Sequence, residues 1–465
     1  MKFFCRYIDP WLALMLLAIG AWWLIAGSTV TPSAQIEVLE AGASASDWLD
    51  ALGSPSREVR RYAKEHVLDA LPPDALGMVA LEGARSDDRS ERLAGLWLLG
   101  HVDVDGAGEI ARQYLNDSNA EVIIAALDVL ARDPVPDART RIIDLAENSD
   151  SETKAASLRA LGALGNPDDL PLFIANLGAS SSEVRNATEN AIIELADDNP
   201  IVVPELLAAA HSTDLAAARG ALKILGKIGG QEALDGLFEF LEYGPVALTS
   251  DAATAIGEIG GDVARERALQ IFITSDTRIR AQAARALGAL GYREAAVYLW
   301  GAVRDEIEDF WVRYHSLGAL ATCGDEEMAG YVIDYLVHGE HDPRLVRMGL
   351  EALGGMDGEN VLELFDSIIA GETDLDLNQS GGNTALVAVI AGLGRMNSDE
   401  SRERLRSLLE STSRDHLEII MSLIRAFGKV GTSEDIDLLS ELPQEEPVLR
   451  SVVSEAIREI EIRGN

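Results

Sequence analysis

Residues 276–291 read Asp276-Thr-Arg-Ile-Arg-Ala-Gln-Ala-Ala-Arg-Ala-Leu-Gly-Ala-Leu-Gly291, and this stretch decides the fold. Its apolar residues at positions 279, 283, 286, 287 and 290 lie along one stripe of a helix. Asp276 precedes the stripe, where its carboxylate can accept the free amide hydrogens of the first turn. Gly291 follows the stripe, where a left-handed residue can close the helix. The stretch therefore predicts one capped amphipathic helix.

The same pattern returns thirteen times along the chain, at steps of 30 to 40 residues. A second apolar segment lies between successive copies, for example at 232–241 and 294–303. Self-similarity at such a period is typical of a solenoid, in which each unit buries its apolar face against its neighbours. The unit is therefore predicted to be helix, turn, helix. The equivalent residues are Val67, Leu99, Leu130, Leu161, Ile192, Leu225, Ile256, Leu287, Leu320, Leu353, Leu393, Phe427 and Ile457.

Several copies share a polar start, an apolar residue and an arginine, as in Ser56-Arg-Glu-Val-Arg60 and Asp309-Phe-Trp-Val-Arg313. Together with the Leu-Gly-x-Leu-Gly ending, this pattern resembles the short HEAT repeats named after phycobilisome lyases, over roughly residues 46–465. The resemblance implies an all-α fold, a right-handed α-solenoid of about 13 antiparallel helix pairs. Such repeats serve scaffolds, transport adaptors, assembly factors and a few enzymes, so they do not specify a function.

The N-terminus differs from the repeats. No residue from Pro10 to Ile36 is charged, and residues 11–26 are almost all apolar. This length suits a membrane-spanning helix, and the basic residues before it favour export of the repeats. A cleaved signal peptide remains the alternative. We expect a cytoplasmic N-terminus at 1–9, a transmembrane signal anchor or signal peptide at 10–27, a linker at 28–46 and the solenoid at 47–465. The expected location is the inner membrane, with extracytoplasmic repeats, or the periplasm after cleavage.

The formal net charge is −38, which opposes binding to nucleic acid phosphates and anionic lipid surfaces. We therefore expect protein partners, either basic or extended segments, and membrane contact only through the N-terminal helix. Repeat-built DNA glycosylases are disfavoured by the charge. Repeat enzymes that hydroxylate a modified lysine hold iron on His-Glu dipeptides, and the chain contains none. Export of the repeats disfavours bilin lyases, which act on cytoplasmic antenna proteins.

Motifs for cofactors and metals are weak. His338 and His341 could contribute to a metal site with Glu340, but a second pair of ligands is missing. Asp374, Asp376 and Asn378 loosely resemble the opening of a calcium loop, in an insert at 371–382 that lengthens one repeat. Arginines recur at one repeat position and are expected to bind helix ends and carboxylates of neighbouring helices. We predict no catalytic residue, no cofactor and no metal.

Aromatic residues are rare in the chain, but one patch contains several of them. Aromatic residues and arginine are common anchors of protein interfaces, although the patch could also fill an irregular core. Phe310 and Trp311 adjoin a helix start rather than the apolar stripe, which favours binding. The candidate protein-binding residues are Tyr298, Trp300, Phe310, Trp311, Arg313 and Tyr314.

The sequence favours a membrane-anchored, non-catalytic scaffold or adaptor that binds a protein along a concave face built from the second helices. Two alternatives stay open: a lyase-like or other accessory enzyme built on the repeats, and a structural envelope protein. A polar pocket would favour the enzyme, and a continuous groove would favour the adaptor.

Overall fold

The structure is a computed structural model that describes residues 32–339, 342–356, 358–372, 384–413, 416–442 and 446–464. Within these ranges the regular elements are helices, with no strand, which confirms the all-α prediction. The chain divides into two compact units. The first runs to Phe173 and includes Ser180–Leu195, and the second comprises Ile174–Ala179 and Ala196–Asn465.

Each of the thirteen sequence copies forms a helix, which we call a ladder helix. Within the second unit, each ladder helix from Leu215–Ile228 onward packs against the next. The ladder helices are Arg57–Ala70, Arg89–Leu99, Ala120–Arg132, Ser151–Leu164, Ser182–Ala196, Leu215–Ile228, Thr249–Ile259, Thr277–Leu290, Phe310–Cys323, Pro343–Leu353, Thr384–Leu393, Leu417–Val430 and Pro447–Gly464.

A second helix lies between each pair of ladder helices, as predicted. Connections are short: only Ser275 and Asp276 separate the second helix Gly261–Thr274 from the ladder helix Thr277–Leu290, so the two run antiparallel. The second helices are Pro73–Ala84, Ala107–Arg112, Arg139–Asn148, Leu170–Asn176, Val202–Ala210, Gly230–Tyr243, Gly261–Thr274, Ala296–Arg304, Glu326–His338, Glu359–Ala370, Asp399–Ser411 and Glu434–Ser440. Single-turn 3-10 helices at Pro136–Ala138, Pro167–Asp169, Val246–Leu248 and Arg293–Ala295 precede four of these helices.

The repeating apolar residues form the core. Twelve of the thirteen, from Val67 to Phe427, are buried, and Ile457 in the last helix is half-buried. Ile457 has no further ladder helix to cover it within the described residues, since Pro447–Gly464 is the last element. Burial of each helix face against its neighbours is the arrangement that the repeat pattern predicts. The handedness of the stack and the position of a concave face stay predictions.

Glycines end the ladder helices for two different reasons. Gly291 has φ 57°, the left-handed conformation predicted from the sequence. Gly324 ends its helix at φ −80°, but a Cβ there would lie 2.7 Å from the Leu320 carbonyl oxygen and 2.9 Å from Met356 Sδ. Position 324 therefore needs a glycine for space rather than for its dihedral angle. Gly291 ends the helix Thr277–Leu290. At the N-terminus of the same helix, Asp276 accepts a hydrogen bond from the Ile279 amide at 3.2 Å, as predicted.

The recurring arginines bind backbone at the helix ends. Arg280 Nε donates to the Phe272 carbonyl at 3.0 Å, and Arg92 Nη1 donates to the Ser86 carbonyl at 2.9 Å. These carbonyls lie in or just after the last turn of the preceding second helix, where the helix leaves them without an internal partner. Arg280 also pairs with Glu308 at 2.8 Å. The expected structural role is confirmed at these positions.

The segment before the repeats differs from our expectation. Pro32–Glu40 is a helix inside the range 28–46 that we expected to be a linker. Leu39 is buried and the Gln35 amide oxygen accepts a hydrogen bond from Ser54 Oγ at 3.4 Å, so packing orders the segment.

The expected anchor at 10–27 lies outside the described residues. Among those that are described, no helix has both the length and the apolar character needed to cross a membrane.

Candidate functional site

The six candidate residues do not form one patch. Trp311 and Tyr314 line one cleft of the second unit, and Trp300 lines another on a different helix layer. The first, the ladder-helix cleft, has a volume of about 630 Å³ and is lined by residues that include Thr249, Gln282, Arg285, Trp311, Tyr314 and His315. The second, the second-helix cleft, has a volume of about 690 Å³ and is lined by residues that include Trp300, Arg304, Glu327, Tyr331, Asp334 and Tyr335.

Aromatic rings form one wall of the ladder-helix cleft. The ring centroid of Trp311 lies 5.1 Å from that of Phe310, 5.7 Å from Tyr314 and 5.9 Å from His315, on which it stacks. The Asp309 carboxylate fixes the start of this helix by accepting a hydrogen bond from the Trp311 amide at 2.8 Å. Trp311 keeps 53% of its surface exposed. Its ring is therefore held in place while most of one face is free to contact a partner.

A half-buried cation, Arg285, lies behind these rings. Arg285 Nε donates to His315 Nδ1 at 3.2 Å, which requires His315 to be neutral at that nitrogen. Burial, reinforced by the neighbouring Arg285 charge, lowers the pKa of His315 to about 4. Burial also lowers the pKa of Arg285, although the electrostatic effects of Tyr314 and Asp251 oppose this shift. Among the described residues no carboxylate lies within ion-pair distance of the Arg285 guanidinium.

An unsatisfied acceptor accompanies this cation. Gln282 is only 7% exposed, and its Oε1 has no hydrogen-bond partner in the part of the chain that the structure describes. The Ser316 hydroxyl, fully buried on the facing helix, is likewise without a partner among these residues. Buried polar atoms are nearly always hydrogen-bonded in folded proteins, so each of these two atoms needs a partner such as a water molecule, an ion or a ligand.

The ladder-helix cleft is locally positive in a strongly negative chain. Arg278 and Arg285 line it together with a single carboxylate, that of Asp309, and His315 is neutral above its lowered pKa. Arg278 donates to the backbone carbonyl of Glu242, which positions this guanidinium at the rim. The formal charge of the whole chain, −38, therefore does not describe this surface.

The second-helix cleft contains the other tryptophan of the candidate patch. Trp300 stacks on Tyr331 with ring centroids 6.3 Å apart and meets the edge of Tyr335 at 5.8 Å. Arg313 Nη2 donates to the Tyr335 hydroxyl at 2.8 Å, and its Nε donates to the Val303 carbonyl at 3.0 Å. Arg313 thus joins a ladder helix to the second helices on either side of it.

Two other predicted members of the patch remain to be placed. Tyr298 is half exposed on Ala296–Arg304 and lines neither cleft. Phe310 is half-buried between the rings of Trp311 and Tyr314, and the Arg344 guanidinium lies 3.9 Å from its centroid. The binding role of all six candidates stays a prediction, but only Trp311 and Tyr314 line the ladder-helix cleft.

The sequence analysis missed Gln282, Arg285 and His315, although a signal was present for two of them. Five residues before the ladder residue, six of the thirteen repeats carry alanine or glycine. In three consecutive repeats that position is polar instead, and it holds Asp251, Gln282 and His315. The small residues at this position are Ala94, Ala125, Ala156, Ala187, Gly220 and Ala388.

Metal and cofactor candidates receive no support from the described residues, which contain no group of three or more His, Cys, Asp or Glu side chains arranged to hold a metal ion. Glu340, His341 and the aspartates of the insert lie outside the described residues. Cys323 is 2% exposed, and burial raises the pKa of its thiol to about 11, as expected for a small buried side chain.

Comparison with known proteins gives one family match. Residues 108–193 match the family model described as HEAT repeats. No curated protein sequence matches the chain significantly.

Solved structures with some similarity include the karyopherin Kap121p bound to the extreme C-terminus of the phosphatase Cdc14p, at 12% identity and a TM-score of 0.46, over 89% of this chain and 54% of that one. The chain thus spans about half the length of Kap121p. Human deoxyhypusine hydroxylase in complex with glycerol is similar at 20% identity and a TM-score of 0.22, over 54% of this chain and 95% of that one. Because these identities and scores are low, we infer no function from them. The family match thus shows HEAT repeats at residues 108–193, and the described residues on either side of this range continue the same alternation of helix pairs.

Proposed function

We propose that this protein is a non-catalytic scaffold or adaptor that binds an extended segment of a partner protein, and that the ladder-helix cleft is the central contact. Helical repeats present long rows of equivalent side chains, which suits extended partners. The second helices, from which we expected the binding face, contribute less to this proposal than the ladder helices do.

The observation that carries the proposal is the half-exposed ring of Trp311 in one cleft with the buried Gln282, whose Oε1 has no hydrogen-bond partner among the described residues, and the half-buried guanidinium of Arg285. Tryptophan, tyrosine and arginine are the residues that most often dominate binding energy at protein interfaces. If these residues only filled the core, the ring of Trp311 would be buried and the amide oxygen of Gln282 would be hydrogen-bonded. Neither condition holds.

Anchoring is a separate part of the proposal and rests on the sequence alone. We propose that the apolar segment at 10–27 holds the chain at the inner membrane with the repeats on the extracytoplasmic side, since basic residues precede it and none follows until Arg57.

Site-specific photo-cross-linking in cells tests the binding site. A photoreactive amino acid at position 311 should capture a discrete protein, while the same residue at Met78 of the first unit, which is more exposed than Trp311, should not. The captured segment, made as a peptide, should then bind the purified Trp311→Ala protein at least about tenfold more weakly than the wild type. Equal capture at both positions, or unchanged affinity, would contradict the proposal.

Labelling in spheroplasts tests the location. Met78→Cys in a Cys5→Ser background offers an exposed thiol, whereas the other native cysteine, Cys323, is buried. A membrane-impermeant maleimide should label the variant in intact spheroplasts. Labelling only after the membrane is permeabilised would place the repeats in the cytoplasm.

A further inference from the structure

We propose that the ladder-helix cleft recognises a side-chain carboxylate, that of an aspartate or glutamate flanked by aromatic residues in the partner segment. This inference rests on the proposed function and specifies the chemistry of the segment. The net charge of the chain suggests a basic partner, whereas this cleft is proposed to bind an acidic one.

The guanidinium of Arg285 supplies the first part of the evidence. It is half-buried, and its one hydrogen bond among the described residues goes to the neutral His315 ring. Four of its five N–H groups are therefore free of protein acceptors. A partly desolvated guanidinium binds a carboxylate well, because the planar fork of donors matches the two carboxylate oxygens. A lysine or arginine of a partner would instead meet two like charges, Arg278 and Arg285.

The buried amide of Gln282 supplies the second part. It lies one helical turn before Arg285, on the same face of Thr277–Leu290, and its unpartnered Oε1 can accept an N–H group. A peptide that places a carboxylate at Arg285 also brings its backbone N–H groups into the cleft. Donation of one of them to Gln282 would satisfy an acceptor that the folded chain leaves unpaired.

The aromatic wall specifies the flanking residues. Trp311 offers an exposed face, and Tyr314 and His315 continue the apolar surface toward Arg285. Aromatic side chains next to the carboxylate would stack on these rings and exclude water from the ion pair, which strengthens it.

Calorimetric titration of the purified full-length chain in detergent tests the inference. The two probes are the peptides acetyl-Ser-Phe-Asp-Phe-Ser-amide and acetyl-Ser-Phe-Asn-Phe-Ser-amide, which have the same shape and differ by one charge. The aspartate peptide should bind about tenfold more tightly, a ratio typical of one charge-assisted hydrogen-bonded contact. Equal binding of both peptides, or no binding of either, would overturn the inference.

Three variants separate recognition from folding. Arg285→Gln should abolish the preference for aspartate, while the exposed Arg159→Gln of the first unit should retain it. Gln282→Leu should weaken the binding of both peptides. It should not lower the unfolding temperature, because it removes a buried acceptor that has no partner among the described residues. Persistence of the aspartate preference in Arg285→Gln would contradict the inference.

The two proposals can fail separately. If the cross-linked partner depends on Trp311 but binds Arg285→Gln as tightly as wild type, the scaffold function stands and the carboxylate specificity is wrong. If capture at position 311 is not specific, the scaffold function itself is contradicted at this cleft.

Discussion

The carboxylate of Asp169 accepts two hydrogen bonds from the guanidinium of Arg139, one from Nη2 at 2.6 Å and one from Nε at 3.2 Å. Asp169 is 1% exposed, and the two residues are thirty positions apart, which is one repeat. The second unit contains a similar pair, Arg406 and Asp435, joined by one hydrogen bond from Nε to Oδ1 at 2.6 Å. In each unit a buried carboxylate and a half-buried guanidinium thus connect consecutive repeats.

Replacing Arg139 by Met should destabilise the first unit strongly. The variant leaves the Asp169 carboxylate buried without its partner, which costs about 3 kcal/mol of unfolding free energy. Urea unfolding measures the loss, and hydrogen exchange of Arg139–Asn148 locates it. Arg159, whose pair with Asp128 at 2.7 Å is about half exposed, is the matched control and should cost less than about 1 kcal/mol when changed to Met. Equal losses in the two variants would show that burial of the pair is not the cause.

Two glycine-to-alanine changes should have opposite effects on the stability of the protein. A Cβ at Gly95 would lie 2.0 Å from the backbone nitrogen of Ala84, so Gly95→Ala must separate two helices and should cost about 2 kcal/mol. At Gly301, inside Ala296–Arg304, a Cβ meets nothing within 4 Å, and alanine should stabilise the helix by up to about 1 kcal/mol. Thermal unfolding checks both. A tolerated Gly95→Ala would mean that these helices are not in close contact.

Truncation to alanine should lower the unfolding free energy much more at a core side chain than at a cleft side chain. Leu287 is completely buried at a ladder position, so Leu287→Ala should lower the unfolding free energy by about 3 kcal/mol. Trp311 is half exposed, and Trp311→Ala should cost less than about 1 kcal/mol while weakening partner binding. Denaturant unfolding of both variants gives the comparison. If Trp311→Ala lowers the unfolding free energy as much as Leu287→Ala does, this ring belongs to the core.

His315 should make the second unit less stable in acid. Its pKa is about 4 in the folded chain and about 6.5 when unfolded, so the unfolded state binds more protons between these values. Stability contributed by the neutral ring is complete above pH 6.5 and is lost as the pH falls toward 4, by about 2 kcal/mol after allowance for partial exposure. The difference in unfolding free energy between wild type and His315→Gln, measured from pH 7 to pH 4, isolates this contribution from that of the carboxylates. A difference that does not vary with pH would contradict the assignment.

The apolar spacing of the sequence predicted each ladder helix and, in twelve of the thirteen, its buried residue, because helix periodicity and capping depend on residues only a few positions apart. Asp276 and Gly291 bound their helix as predicted. The helix Pro32–Glu40 was missed, because its order depends on burial of Leu39 and contact with Ser54 rather than on a recognisable local pattern.

The candidate site was predicted only in part. Trp300 and Trp311 are eleven residues apart in the sequence, yet the turn between their helices places them on different layers, so one predicted patch became two clefts. Conversely, Arg285 and His315 are thirty residues apart and meet at 3.2 Å.

By itself, the sequence determined the helices, their caps and the repeating core, since these follow from local spacing. Only the tertiary structure decided which polar and aromatic side chains share a cleft. The physical reason is that each helix pair reverses the chain: neighbours in sequence are separated onto two layers, and residues one repeat apart are brought into contact by stacking.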